Sequence, residues 1–206
     1  MQADFDFKQI IVLILPTTYL GSTEWYRQFM AHPSEVAIEV MESFPKQTYR
    51  NRCTITTPDG ALTLSVPVQR ADSKQLTKDV EISYQQKWQH QHWIALVSAY
   101  KRTPYFDYYA DFFRPFYEKE TKFLVDLNEG LHEVITGLVK NCIELGSSGV
   151  ELFSTKEATL HNATQHYTTL HNTTDWQGLD LEPCFGNGQS ILDMLFEYGP
   201  ETIMKI

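Results

Sequence analysis

The segment Lys46-Gln47-Thr48-Tyr49-Arg50-Asn51-Arg52 gathers three cations and several hydrogen-bond donors in a chain that is otherwise acidic. In an extended backbone Arg50 and Arg52 fall on one face, roughly two 3.3 Å rises apart. Two guanidinium groups so placed can clamp a phosphate or a carboxylate. Lys46, Gln47, Tyr49 and Asn51 would then hold and orient the rest of the ligand. The same pattern also describes a solvated strand face whose cations pair with nearby Asp or Glu. His92 is the candidate catalytic residue. It lies four residues after Trp88 and four before Leu96, on a helix face of core-type residues. A neutral imidazole there can act as a general base. The alternative is a histidine hydrogen-bonded in the interior.

A dense aromatic tract runs from Tyr100 and Tyr105 through Phe106, Tyr108, Tyr109, Phe112, Phe113 and Phe116 to Tyr117. Sugar rings stack on such faces, so Tyr100 and Tyr105 join the substrate-binding candidates. Aromatic core between helices is the other reading of the tract. His161, His166 and His171 recur at five-residue steps, which matches no common metal-ligand spacing. No Walker loop, GxGxxG, HExxH or GxSxG pattern occurs. A site without metal or cofactor is therefore expected.

The elements that must position these residues are legible. Ile10–Leu15 is a continuous apolar run, the pattern of a buried parallel strand ended by Pro16. Ser22 is an N-cap for a helix over Glu24–Met30, and Val36–Val40 reads as a second strand. Tyr49–Thr57 and Ala61–Val68, joined by Pro58-Asp59-Gly60, predict a hairpin. Ser83–Gln86 has the form of a capping box for a helix ending at Tyr100. Thr103-Pro104 starts another helix, which Arg114-Pro115 should kink or break. Asp126 with Glu129 looks like an N-cap for an amphipathic helix carrying Leu131, Val134, Ile135, Leu138, Val139 and Cys142, with Gly146 as its C-cap. Residues from about 155 to 177 are polar and read as a long loop excursion. Ser190 caps a last short helix closed by Gly199-Pro200.

The whole pattern, residues 1–206, predicts a single α/β domain: a mixed sheet with a β-hairpin, covered by helices from the middle of the chain. A net charge of −9 over 206 residues argues against nucleic acid and anionic membranes as partners. Cys53, Cys142 and Cys184 are odd in number and far apart, which fits reduced thiols in a cytoplasm. Ile10–Leu15 is too short for a signal segment or a membrane span.

The stretches KQTYRNRC (46–53), LSVPV (64–68), Trp88 with His92-Trp93, AYKRTPYFDYY (99–109), FRPFYEK (113–119), FLVDLN (123–128) and SILDMLF with GP (190–200) together resemble the WbqC-like protein family of bacteria, most closely its Bacteroidetes-type members. Two places depart from the family pattern. After the first strand, residues 15–21 keep Tyr19 but lose the second proline of a QP-x-Y-x-P-like motif. Before the last helix, residues 182–190 are shorter than the family's segment. Where those loops line the site, the resemblance implies altered substrate contacts or reduced activity. It further implies a transferase of surface-polysaccharide (O-antigen-type) biosynthesis, with aminoacyl or acyl transfer to an amino sugar or sugar nucleotide. The alternative is a noncatalytic accessory or ligand-binding subunit among polysaccharide-assembly proteins. The resemblance carries positions and not assigned roles.

The resulting expectation is a small-molecule or sugar-nucleotide substrate held by Arg50 and Arg52, with His92 as proton acceptor. The two stretches 46–52 and 92–105 should meet in one pocket near the end of the first strand.

Overall fold

A computed structural model describes residues 13–31, 36–69, 75–144 and 189–206. The predicted excursion at 155–177, the three spaced histidines, Gly146, Cys184 and most of the 182–190 loop lie outside the described residues. Strand β1 (Leu13–Pro16) pairs in parallel with β2 (Val36–Glu39), in the register Leu13↔Val36 to Pro16↔Glu39. Helix α1 (Thr23–Ala31) lies between them in sequence. Its first turn is capped as expected, the Trp25 amide donating to Ser22 Oγ at 3.2 Å. Trp25 Nε1 donates to the Pro16 carbonyl at 3.0 Å, tying the helix to the end of β1. Trp25, Tyr26 and Phe29 form its buried face.

The predicted hairpin is present as β3 (Arg52–Thr57) and β4 (Gly60–Ser65). Pro58-Asp59 form the tight turn, and Gly60 takes a φ of 118° that a side chain would resist. The strands are shorter than predicted, because residues 49–51 turn and Pro67 lacks a donor to extend the ladder. Cys53, Ile55, Leu64 and Val66 face the core, while Thr54 and Thr63 face the other way. The four strands form two separate pairs, so the α/β class holds with two small sheets in place of one mixed sheet. The pairs are joined through loops: the Tyr19 amide donates to the Tyr49 carbonyl at 3.0 Å.

Helices α2 (Trp88–Tyr100), α3 (Phe106–Glu118) and α4 (Leu124–Glu144) follow. The capping box at Ser83 does not start α2. Tertiary bonds hold that stretch extended instead, with Val68 bridged to Ile82, Glu81 to Phe123, and Ser83 donating to the Pro67 carbonyl. Pro104 sits in a turn, since the Tyr105 amide is drawn to the Phe196 carbonyl before α3 begins. Pro115 neither breaks nor ends α3, which runs three residues past it to Glu118. Asp126 lies inside the first turn of α4, where it complements the helix dipole, and is not the cap. Leu127, Leu131, Ile135 and Val139 form the buried stripe of α4.

Helix α5 (Ile191–Tyr198) is capped by Ser190, whose Oγ accepts from the Leu192 amide at 3.3 Å. A 3₁₀ turn and the short α6 (Thr202–Lys205) close the chain. Ile191, Leu192, Leu195 and Phe196 are all buried in the main core. Among the described residues no helix is long and apolar enough to cross a membrane.

Candidate functional site

A cleft of about 400 Å³ opens between the loop after β1 and the polar face of the hairpin. Thr18 to Ser22 form one wall; Gln47, Thr48, Tyr49, Arg52, Cys53, Thr54 and Thr63 form the other, with Ser190 at the α5 cap. The loop at 18–22 is buried and is tied to the hairpin side and to the α5 cap by hydrogen bonds. Thr18 Oγ1 donates to the Tyr49 carbonyl, Ser190 Oγ to the Leu20 carbonyl at 2.9 Å, and the Ile191 amide to the Gly21 carbonyl at 2.9 Å. Gly21 is needed here, since a Cβ would lie 2.6 Å from the Thr18 methyl. Leu20 (φ 47°) and Gln47 (φ 63°) are the non-glycine residues in left-handed backbone among those described, and both line the cleft. Strain of that kind collects at ligand sites.

The two arginines have opposite fates. Arg50 is 2% exposed and does not line the cleft. Its Nη2 donates to Glu42 Oε2 at 2.7 Å and its Nε to Glu42 Oε1, and its guanidinium lies over the Tyr49 ring. That is the charge-paired alternative for this stretch, in a buried form. Arg52 lines the cleft as the first residue of β3. Its Nε is buried without a hydrogen-bond partner among the described residues. No ion pair of Arg52 occurs there either.

Of the other sequence-predicted substrate residues, Gln47 and Tyr49 line the cleft, whereas Lys46 is exposed and off its wall. Asn51 is buried beneath, with Nδ2 donating to the Val66 carbonyl at 3.0 Å. Tyr100 is turned to α5, its hydroxyl donating to Asp193 Oδ1 at 2.7 Å. Tyr105 stacks on Tyr109 and packs over Gly199. None of these three lines the cleft.

His92 is 5% exposed and sits directly behind the cleft wall. Its Nδ1 is 2.8 Å from the hydroxyl of Tyr19, a lining residue, and that hydroxyl is 3.0 Å from the Tyr117 hydroxyl. The Ser65 carbonyl accepts from the ring, and Ser65 is the cross-strand partner of Arg52. With the ring N–H used there, Nδ1 accepts from Tyr19, whose oxygen accepts in turn from Tyr117. Burial pulls the His92 pKa down to about 4, partly offset by the bond to Ser65, so the ring is neutral at pH 7. Burial, then the neighbouring Tyr117, holds the Tyr19 hydroxyl well above the usual tyrosine range. Cys53 lines the cleft as a free cysteine, but burial pushes its thiol up, away from thiolate chemistry. Among the described residues no cluster of His, Cys, Asp and Glu has the form of a metal site.

Residues 46–52 and His92 are thus brought together through a third stretch, the loop at 18–22, which the sequence reading raised as a departure from the family pattern at 15–21 but from which it named no site residue. Its available signals were Gly21, the retained Tyr19 and its place at the carboxyl end of a parallel strand.

No curated protein and no solved structure matches the chain. The WbqC-like protein family matches residues 25–146, more than half of the sequence, spanning most of α1, the hairpin, the cleft's arginine wall, His92 and all of α4. The chain therefore belongs to the WbqC-like protein family.

Proposed function

We propose that the cleft is the ligand site of a transferase that acts on anionic intermediates of bacterial surface polysaccharide in the cytoplasm. The reaction in this reading is aminoacyl or acyl transfer to an amino sugar or sugar nucleotide. Family membership supports the polysaccharide setting. The observation that carries the chemistry is Arg52, a cation on the cleft wall with a buried, unpartnered Nε. Arg52 as a whole is half-buried, and a turn of its guanidinium towards an anion in the cleft would satisfy that donor; charge-assisted bonds of this kind are strong. Tyr19 stands between the cleft and His92, so a proton leaving a bound ligand would reach the imidazole only through that hydroxyl.

The test is a thermal-shift screen of sugar nucleotides, coenzyme A derivatives and amino acids. A ligand selective for the native state raises its melting temperature. Arg52→Ala should weaken the anionic hit by about 1.5–3 kcal/mol. Anionic hits that bind the variant unchanged would remove the cleft from consideration.

A second reading, a noncatalytic ligand-binding subunit of an assembly complex, draws on His92. Both ring nitrogens are engaged, and a pKa near 4 makes the imidazole a weak base. Ligands that bind through Arg52 but are never turned over with any acceptor would favour that reading.

A further inference from the structure

We infer that the anionic group taken by the cleft is a carboxylate carried on a hydroxylated body, that is, a uronic-acid-type sugar unit. The inference rests on the reading of the cleft as the ligand site and narrows it.

Charge count comes first. Glu42 draws Arg50 out of the cleft, leaving Arg52 as the cation on its wall among the described residues. One positive charge balances a carboxylate. A phosphate monoester or a diphosphate brings nearly two negative charges or more at pH 7, and the chain around it is acidic. Nor does an Asp or Glu lie on the described wall, so the ammonium of a free amino acid has no counter-charge there.

Geometry points the same way. The Nε–H of Arg52 and its neighbouring terminal N–H form one edge of a rigid fork, which the two oxygens of a carboxylate span. The buried Nε lacks a partner along that edge. The rest of the wall suits a sugar body. The Gln47 amide and the hydroxyls of Thr54 and Thr63, themselves 3.5 Å apart, are neutral groups that can pair with sugar hydroxyls, and the Tyr49 ring supplies an apolar wall. About 400 Å³ falls within the usual range for small-molecule sites.

The experiment is an NMR titration of the full chain with glucuronate, its methyl ester, glucose, glycine, glucose 1-phosphate and UDP. It is repeated on Arg52→Lys and Arg52→Ala, each checked for fold by circular dichroism. Glucuronate should bind at least tenfold more tightly than the methyl ester and glucose. Arg52→Lys should lose most of that preference, because an ammonium lacks the fork. The ester comparison on the unaltered protein keeps the test valid should the variants fail to fold. Glucose 1-phosphate or UDP binding more tightly than glucuronate, in an Arg52-dependent way, overturns the carboxylate assignment; glycine doing so overturns the uronic-acid body; either result leaves the anion site standing. Absence of any Arg52-dependent anion binding overturns both.

Discussion

Arg50 and Arg52 are two positions apart, share a residue type and were indistinguishable by spacing, yet one is a structural cation and the other faces the cleft. Alternation correctly marks which residues share a strand face, but Arg50 precedes the strand, in a turn that sends it to Glu42. No local pattern encodes a partner eight residues upstream. His92 shows the reverse case: its helix face was legible from Trp88 and Leu96, and it is buried there as an interior histidine. Its stability signature has a definite sign. The unfolded residue titrates near 6.5 and the folded one near 4, so between those values the unfolded chain binds the extra proton. The contribution is fully present above pH 6.5 and is lost as pH falls towards 4. The loss approaches roughly 3 kcal/mol, at about 1.4 kcal/mol per pKa unit. Urea unfolding from pH 7 to pH 4 should therefore show a steeper decline for the natural protein than for His92→Gln. Parallel declines would show that His92 does not change protonation on unfolding.

At the scale of elements, the cleft is built from two irregular loops held against a regular hairpin, and the strain sits in the loops. Gln47 occupies left-handed backbone that costs a side chain roughly 1–2 kcal/mol. Gln47→Gly relieves that cost, while Gln47→Ala keeps it and also removes the amide from the wall. The glycine variant should be more stable than the alanine variant by about 1 kcal/mol, the opposite of the order at an ordinary position. Denaturant midpoints decide it, and alanine proving the more stable would mean the strain is not stored there. The sequence marked strands and helices well where periodicity spoke, as in α4, β1 with β2, and the hairpin. It missed the starts of α2 and α3 because Ser83 and Tyr105 are claimed by distant backbone carbonyls, Pro67 and Phe196. Capping patterns describe local competition, and these bonds win from outside it.

For the molecule as a whole, the last eighteen residues, 189–206, supply part of the core through α5, although they lie beyond the family-matched span. Asp193 accepts from the Thr56 amide at 3.1 Å, the Thr56 hydroxyl at 3.2 Å and Tyr100 Oη at 2.7 Å, joining α5 to β3 and α2. Ile191, Leu192, Leu195 and Phe196 are each 0–2% exposed. Burying such side chains contributes about 1.5–3 kcal/mol each, and a domain's whole stability is about 5–15 kcal/mol. A chain ending at Gly188 should therefore lose its near-ultraviolet circular dichroism and its cooperative thermal transition, and retention of both would show the core closes without α5. The sequence by itself determined the α/β class, the parallel pair and hairpin, the aromatic core and the polar stretch at 46–52, because each is a periodicity or turn chemistry that operates within about ten residues. Only the tertiary structure decided which arginine faces the cleft, that Tyr19 connects the cleft to His92, and that Ser190 and Gly21 close its wall. The first turns on Glu42, eight residues before Arg50, and the others join residues 73 and 170 positions apart; such pairs are selected by packing and by the requirement that every buried polar group find a partner.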